Sequence, residues 1–124
     1  MIIKKTTIIL PVFLFFIFSP ALAFETTGTF RIINDKNETI VSKEVSFQEG
    51  ETLYEVTKRA FDIGESEGNI ISINSVHSIP EKNIHWAFFI NGKFVEVGLD
   101  EITLYTNDYI VGALRSWDEE ELLK

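Results

Sequence analysis

Between Thr39 and Phe47 hydrophobic and polar side chains alternate. Val41, Val45 and Phe47 fall on one side, Ser42, Glu44 and Ser46 on the other. A period of two marks a half-buried strand, because successive side chains of an extended chain point to opposite faces. Thr29–Asn34 has the same character, with Phe30 and Ile32 sharing a face. The polar run Asp35-Lys36-Asn37-Glu38 separates the two segments and predicts the turn of a first hairpin. The period then changes. Leu53, Val56, Ala60 and Ile63 recur at helical spacing after the strand-breaking Gln48-Glu49-Gly50-Glu51. Thr52 and Glu55 stand three apart at the head of this run and form a capping box: each side chain reaches the other residue's backbone amide. One amphipathic helix is expected over Leu53–Ile63, with Gly64 as the residue just past its end.

Ile70–Val76, rich in β-branched residues, reads as a further strand, and Ser78–Asn83, holding Pro80, as a connection. The aromatic stretch His85-Trp86-Ala87-Phe88-Phe89-Ile90 then runs into Asn91-Gly92. That dipeptide is a strong hairpin signal, since both central residues of the favoured turn need positive φ. The chain is expected to enter along Trp86–Ile90 and to leave along Lys93–Val97. Trp86, Phe88 and Ile90 share one face of this strand, and His85, Ala87 and Phe89 the other. After a less regular Gly98–Thr103, the turn Thr106-Asn107-Asp108 leads into a last strand over Tyr109–Leu114, and Ser116 and Glu119 are spaced to cap a short terminal turn. Two strands, one helix and three or four more strands predict an α+β fold: a β-grasp-like mixed sheet with one helix packed across one face.

The first residues change what counts as the folded chain. Lys4 and Lys5 precede an apolar run from Ile8 to Phe18, and Ala21-Leu22-Ala23 is a small-x-small site. This order predicts a secretory signal peptide over residues 1–23, cut after Ala23. The run is shorter than the roughly 20 residues of a spanning helix, so no membrane span is expected after cleavage. Residues 24–28 are expected as a leader, 29–115 as one domain, and 116–124 as an acidic tail. Removing Lys4 and Lys5 takes the formal net charge from −8 to −10. Such acidity argues against nucleic acid and anionic membrane surfaces, which are met by basic patches. The chain holds no cysteine, which fits an exported bacterial protein better than a small disulfide-rich animal domain. The expected location is secreted or periplasmic, in a bacterial cell envelope.

Candidate chemistry is sparse. His77 and His85 are the only histidines, and neither has companions at metal-ligand spacing. No nucleophile elbow or glycine-rich phosphate loop occurs. Glu49, Glu51 and Glu55 cluster at the helix start, where capping and the helix dipole account for them. No catalytic and no metal-binding residues are expected, and the chain is not expected to be an enzyme.

Three segments carry a family resemblance. Gly50-Glu51-Thr52-Leu53-Tyr54-Glu55-Val56 is similar to a G-x-T-hydrophobic helix start. Trp86-Ala87-Phe88-Phe89-Ile90-Asn91-Gly92 is similar to a W-x-x-x-hydrophobic-N-G hairpin. Leu104-Tyr105-Thr106-Asn107-Asp108-Tyr109-Ile110 is similar to an L-x-x-G-D-x-I turn and strand, with Asn107 in place of the glycine. In this order they resemble the DUF4430 family, the transcobalamin-like C-terminal domain. The resemblance implies a β-grasp-like module in exported or surface-attached proteins. In animal vitamin B12 carriers it closes over cobalamin beside a large helical domain, of which this sequence shows no counterpart. It implies cobalamin as a possible cofactor and places Trp86, Ala87, Phe88, Phe89 and Asn91 at the ligand-facing edge. The expected function is an exported, non-enzymatic binding module for a small molecule or cofactor. The alternative is a protein-interaction or surface-assembly module using an exposed sheet edge, with an exported or surface protein as partner. A pocket lined by Phe88 or Phe89 would favour the first, and a flat open edge the second.

Overall fold

The computed structural model describes residues 24–117. The signal peptide expected over residues 1–23 and the tail from residue 118 onward lie outside them. The elements are β1 (Glu25–Ile33), β2 (Thr39–Gln48), α1 (Leu53–Ala60), β3 (Ile63–Ser66), β4 (Asn69–Ile73), β5 (Val76–His77), β6 (Ile84–Ile90), β7 (Lys93–Phe94) and β8 (Tyr109–Ser116). Five strands form a mixed sheet in the order β2-β1-β8-β6-β7, and the other three form a small sheet β3-β4-β5. β1 and β2 make the expected antiparallel hairpin, while β8 runs parallel to β1 and antiparallel to β6. This is the α+β, β-grasp-like arrangement that the pattern predicts.

The core lies between the large sheet and the layer made by α1 and the small sheet. Phe30, Ile32, Val45, Phe47, Trp86, Phe88, Ile110 and Leu114 project from the sheet, and Leu53, Val56, Phe61, Ile73 and Leu104 meet them. At its centre Gly112 lets the strands close. A Cβ there would stand 3.0 Å from Phe88 Cε2 and 3.2 Å from Ile32 Cδ1. The capping box is formed as expected: Glu55 N–H donates to Thr52 Oγ1 at 3.1 Å, and Thr52 N–H donates to Glu55 Oε1 at 3.0 Å.

Five boundaries differ from the expectation, the first three for a local reason. β1 begins at Glu25 rather than Thr29, because residues 25–28 pair with the end of β2, Glu25 opposite Gln48. The helix stops at Ala60, since Phe61 turns extended and lays its ring 5.6 Å from that of Phe30. Ile63 and Gly64 then belong to β3, so Gly64 is no helix terminator. The strand expected over Ile70–Val76 is cut at Asn74-Ser75, both at positive φ, the signature of a two-residue hairpin turn. β7 is two residues long, and β8 continues two residues past Leu114.

β2 is an edge strand, and part of its outer edge is guarded. Glu49 N–H donates to Phe24 O on the β1 side, so by alternation Ser42, Glu44, Ser46 and Gln48 direct their backbone groups outward. Arg59 Nη2 donates to Ser46 O at 3.2 Å, Gln48 N–H to Glu51 Oε1 at 2.8 Å, and Glu51 N–H to Gln48 O at 3.1 Å. Arg59 and Glu51 are themselves joined by a two-pronged ion pair of 2.6 and 3.0 Å. Unpaired edges invite pairing with another chain, and charges commonly blunt them. Arg59→Ala is therefore expected to raise self-association, read as a concentration-dependent mass by sedimentation; a strictly monomeric variant would sink the guard. The Arg59 guanidinium holds the Glu51 carboxyl below its ordinary 4.5. That contribution is present above the unfolded-state value and is lost as pH falls through the lower folded value. The pair is solvent-exposed, so the acid loss is small. Glu51→Gln should flatten that part of a pH–stability curve below about 4.5.

Candidate functional site

The register assigns every strand residue of the large sheet to a face. Trp86 lies opposite Leu114 and Phe88 opposite Gly112, so Trp86, Phe88 and Ile90 face the core. His85, Ala87 and Phe89 lie on the other face, opposite Arg115, Ala113 and Val111. Phe94 joins them across the hairpin, paired with Phe89 at a ring-centroid distance of 5.6 Å. β1 contributes Arg31 and Ile33, beside Val111 and Ala113. Phe89, Phe94 and Val111 are half-buried and belong to no part of the hydrophobic core. Among the described residues, α1 and the small sheet pack on the opposite side. The second face is thus partly open: Phe89, Phe94 and Val111 are half-buried on it, while Ala87 and Ala113 beside them are 1% and 0% exposed beneath their neighbours.

The tip of the β6–β7 hairpin is locked to this sheet. Asn91 takes φ 50° and Gly92 φ 86°, the double positive φ that the Asn-Gly pair predicts. Asn91 N–H donates to Tyr109 O at 2.8 Å, and Tyr109 N–H donates to Asn91 Oδ1 at 2.9 Å. Asn91 Nδ2 donates to Asp108 Oδ1 at 2.9 Å, and the other Asp108 oxygen accepts from Tyr105 N–H at 2.8 Å. Asp108 O accepts from Thr29 N–H, which ties in β1. Asn107 supplies the left-handed turn at φ 67°, a conformation asparagine tolerates better than most residues. The N-G and N-D-x-I segments, far apart in the chain, therefore form one hydrogen-bonded unit around a buried carboxylate.

The five residues expected at the ligand edge are divided by this geometry. Trp86 and Phe88 are 5% and 4% exposed in the core. Ala87 and Phe89 lie on the second face, where Phe89 is half-buried and Ala87, at 1% exposed, is as buried as the core pair. Asn91 spends both ends of its amide on Asp108 and Tyr109. Reasoning from sequence did not select Arg31, Phe94, Arg115 or Asp108; only cross-strand register places the first three together, and Asp108 appeared there only as part of a turn. A cleft of about 420 Å³ lies at the sheet end remote from the hairpin tip, lined by Asp35, Asn37, Ile84, Leu114, Arg115 and Ser116. It is lined by neither Phe88 nor Phe89. His77 lies in the small sheet, and His85 Nε2 is 3.1 Å from Asn83 Oδ1 with its ring edge-on to Trp117. Among the described residues no three His, Cys, Asp or Glu side chains are grouped to hold a metal ion, and no helix is long and apolar enough to cross a membrane.

A family model described as "Domain of unknown function (DUF4430)" matches residues 50–115. No curated protein matches the sequence. Haptocorrin, solved in complex with Cbi, is similar in structure with a TM-score of 0.62 at 12% identity. The match covers 75% of this chain and 25% of the haptocorrin chain, so this chain corresponds to about a quarter of that protein. A protein from Ruminococcus gnavus ATCC 29149, described with a proposed metal-binding role, is similar with a TM-score of 0.58 at 17% identity, over 73% of this chain and 97% of that one. At such identities the likeness is one of fold.

Proposed function

The chain belongs to the DUF4430 family, and on that premise we propose that it is an exported binding module rather than an enzyme, with the open face of β6, β7 and β8 as its working surface. One observation carries this reading: Phe89, Phe94 and Val111 lie together, half-buried, on a sheet face outside the core. Contiguous apolar side chains left out of a core mark an interaction site. The surface suits a flat ring system better than a compact ion, because it offers aromatic and valine contacts and, among the described residues, no cluster of metal donors. A corrinoid, implied by the family and by the Cbi complex of haptocorrin, fits that description. Phe89, Phe94 and Val111 would hold it.

Magnitudes decide how such a face works. Burying one phenylalanine gives about 1.5–3 kcal/mol. Two half-buried rings fall short of the roughly 8 kcal/mol of micromolar affinity, before the cost of association is subtracted. The face is one wall of a site that a second body completes, in keeping with a match to about a quarter of haptocorrin. The purified chain, its N-terminus read by mass spectrometry, is expected to bind cobalamin one-to-one but weakly, with Kd on the order of 0.1–1 mM. Trp117 fluorescence and calorimetry would follow the titration, and Phe89→Ala should weaken binding severalfold. A titration without saturation, or one indifferent to Phe89→Ala, would overturn the corrinoid reading.

A second reading rests on the β2 edge. Among the described residues, no hydrogen bond engages the outward backbone groups of Ser42 and Glu44, which could receive an extended strand of an exported or surface protein. Proline at Ser42 would abolish capture of such a partner and leave corrinoid binding unchanged.

A further inference from the structure

The open face also carries positive charge that its apolar part does not require. The chain is acidic, with a formal net charge of −8, and contains three arginines. Two of them, Arg31 and Arg115, stand on this face, while the third, Arg59, guards the β2 edge. No strand position of β6, β7 or β8 on this face is acidic; the nearest acid in the register is Glu44 on β2, opposite Thr29. The two arginines are not equivalent. Arg115 is engaged, with Nη1 donating to Leu114 O and Nη2 to Asn37 Oδ1, and so fastens the β1–β2 turn to the end of β8. Arg31 donates only through Nε, to Thr39 Oγ1 at 2.9 Å. Among the described residues its two terminal nitrogens have no partner.

Register gives the span. Arg31 is paired with Val111, and Val111 with Phe89. Two inter-strand steps separate the arginine from the aromatic pair, about 10 Å between backbones. We propose, on the reading of this face as the binding surface and in place of the corrinoid as its occupant, that its ligand is a planar apolar molecule bearing one carboxylate. The carboxylate accepts a two-pronged pair of hydrogen bonds from the Arg31 guanidinium. The ring lies across β8 over Val111 and ends against Phe89 and Phe94. The planar fork of arginine matches a carboxylate, and such charge-assisted pairs are stronger than neutral ones. Arg115 adds positive potential at the far end of β8 without giving up its own bonds. The net charge of −8 opposes a general attraction for anions, so a preference that Arg31→Gln removes reports on this face.

The test compares naphthalene-2-carboxylate with the neutral 2-naphthylmethanol, two ligands that share a ring system and differ in charge. Both are titrated into the purified chain at low salt and followed by amide chemical shifts. The carboxylate is expected to bind about tenfold more tightly, to shift amides of β1 and β8, and to lose its advantage as salt rises. Arg31→Gln should bring the two affinities together with the melting temperature unchanged, and Arg31→Lys should keep part of the preference. Phe89→Ala should weaken both ligands, and Lys58→Gln, on the exposed side of α1, neither. Equal affinities in the parent chain, a preference that survives Arg31→Gln, or saturation by neither ligand would each overturn the proposal. If Phe89→Ala weakens both while Arg31→Gln changes nothing, the open face remains the binding surface and the anion preference alone falls.

Discussion

Asp108→Ala is expected to cost about 3–5 kcal/mol of stability, because hydrogen bonds to a charged group are each worth about 1.5–3 kcal/mol and two are lost. Asp108 is 9% exposed. Its carboxylate accepts from Asn91 Nδ2 and from Tyr105 N–H, and both donors would be stranded in a part-buried site. For a domain whose total stability is about 5–15 kcal/mol, that is a third or more. Urea unfolding followed by the fluorescence of buried Trp86 would read the loss. Asp108→Asn keeps one acceptor and should lose about half as much. Asn91→Ala removes one of the same bonds, so the double variant should be less damaged than the sum of the singles. Additivity within about 0.5 kcal/mol would show that the two residues do not act as a unit. The effect bears on function through geometry: the same bonds hold the hairpin tip, and with it Phe89 and Phe94, against β8.

Phe88→Ala and Phe89→Ala are adjacent substitutions with opposite expected consequences. Phe88 is 4% exposed and packs over Gly112, so its truncation leaves a core cavity and should cost about 3–5 kcal/mol. Phe89 is half-buried on the open face, where neighbours can relax; its truncation should cost under about 1.5 kcal/mol and act on binding instead. Thermal unfolding of the pair reads the difference directly. Comparable losses at both positions would mean that the open face is covered and would remove it as a binding surface. Trp86→Ala should follow Phe88, being 5% exposed. Neither Trp86 nor Phe88 then contacts a ligand on the open face, despite their place in the hairpin motif.

Much of this arrangement was legible in the residues alone. Alternation along Thr39–Phe47, the Thr52–Glu55 box and the Asn91-Gly92 turn are local devices. Each is written within a few consecutive residues and depends on backbone geometry that those residues carry with them. They sufficed for the hairpins, for the start of the helix, for the sorting of His85, Ala87 and Phe89 from Trp86, Phe88 and Ile90, and for the family resemblance. Where local signals were weak the boundaries moved. Phe61 left the helix to meet Phe30, residues 25–28 joined β1 through pairing with β2, and Asn74-Ser75 made a turn without a glycine. Which aromatic set is buried, and which residues share the open face, was decided only by tertiary structure. Alternation divides a strand into two sides without saying which side meets the helix. Nor does it say that Arg31 of β1 stands two strands from Phe89 of β6, with β8 between them. The parallel placement of β8 between β1 and β6 supplies that information. The same placement brings Asn91 to Asp108, because strand register relates residues far apart in the chain and no local pattern encodes it.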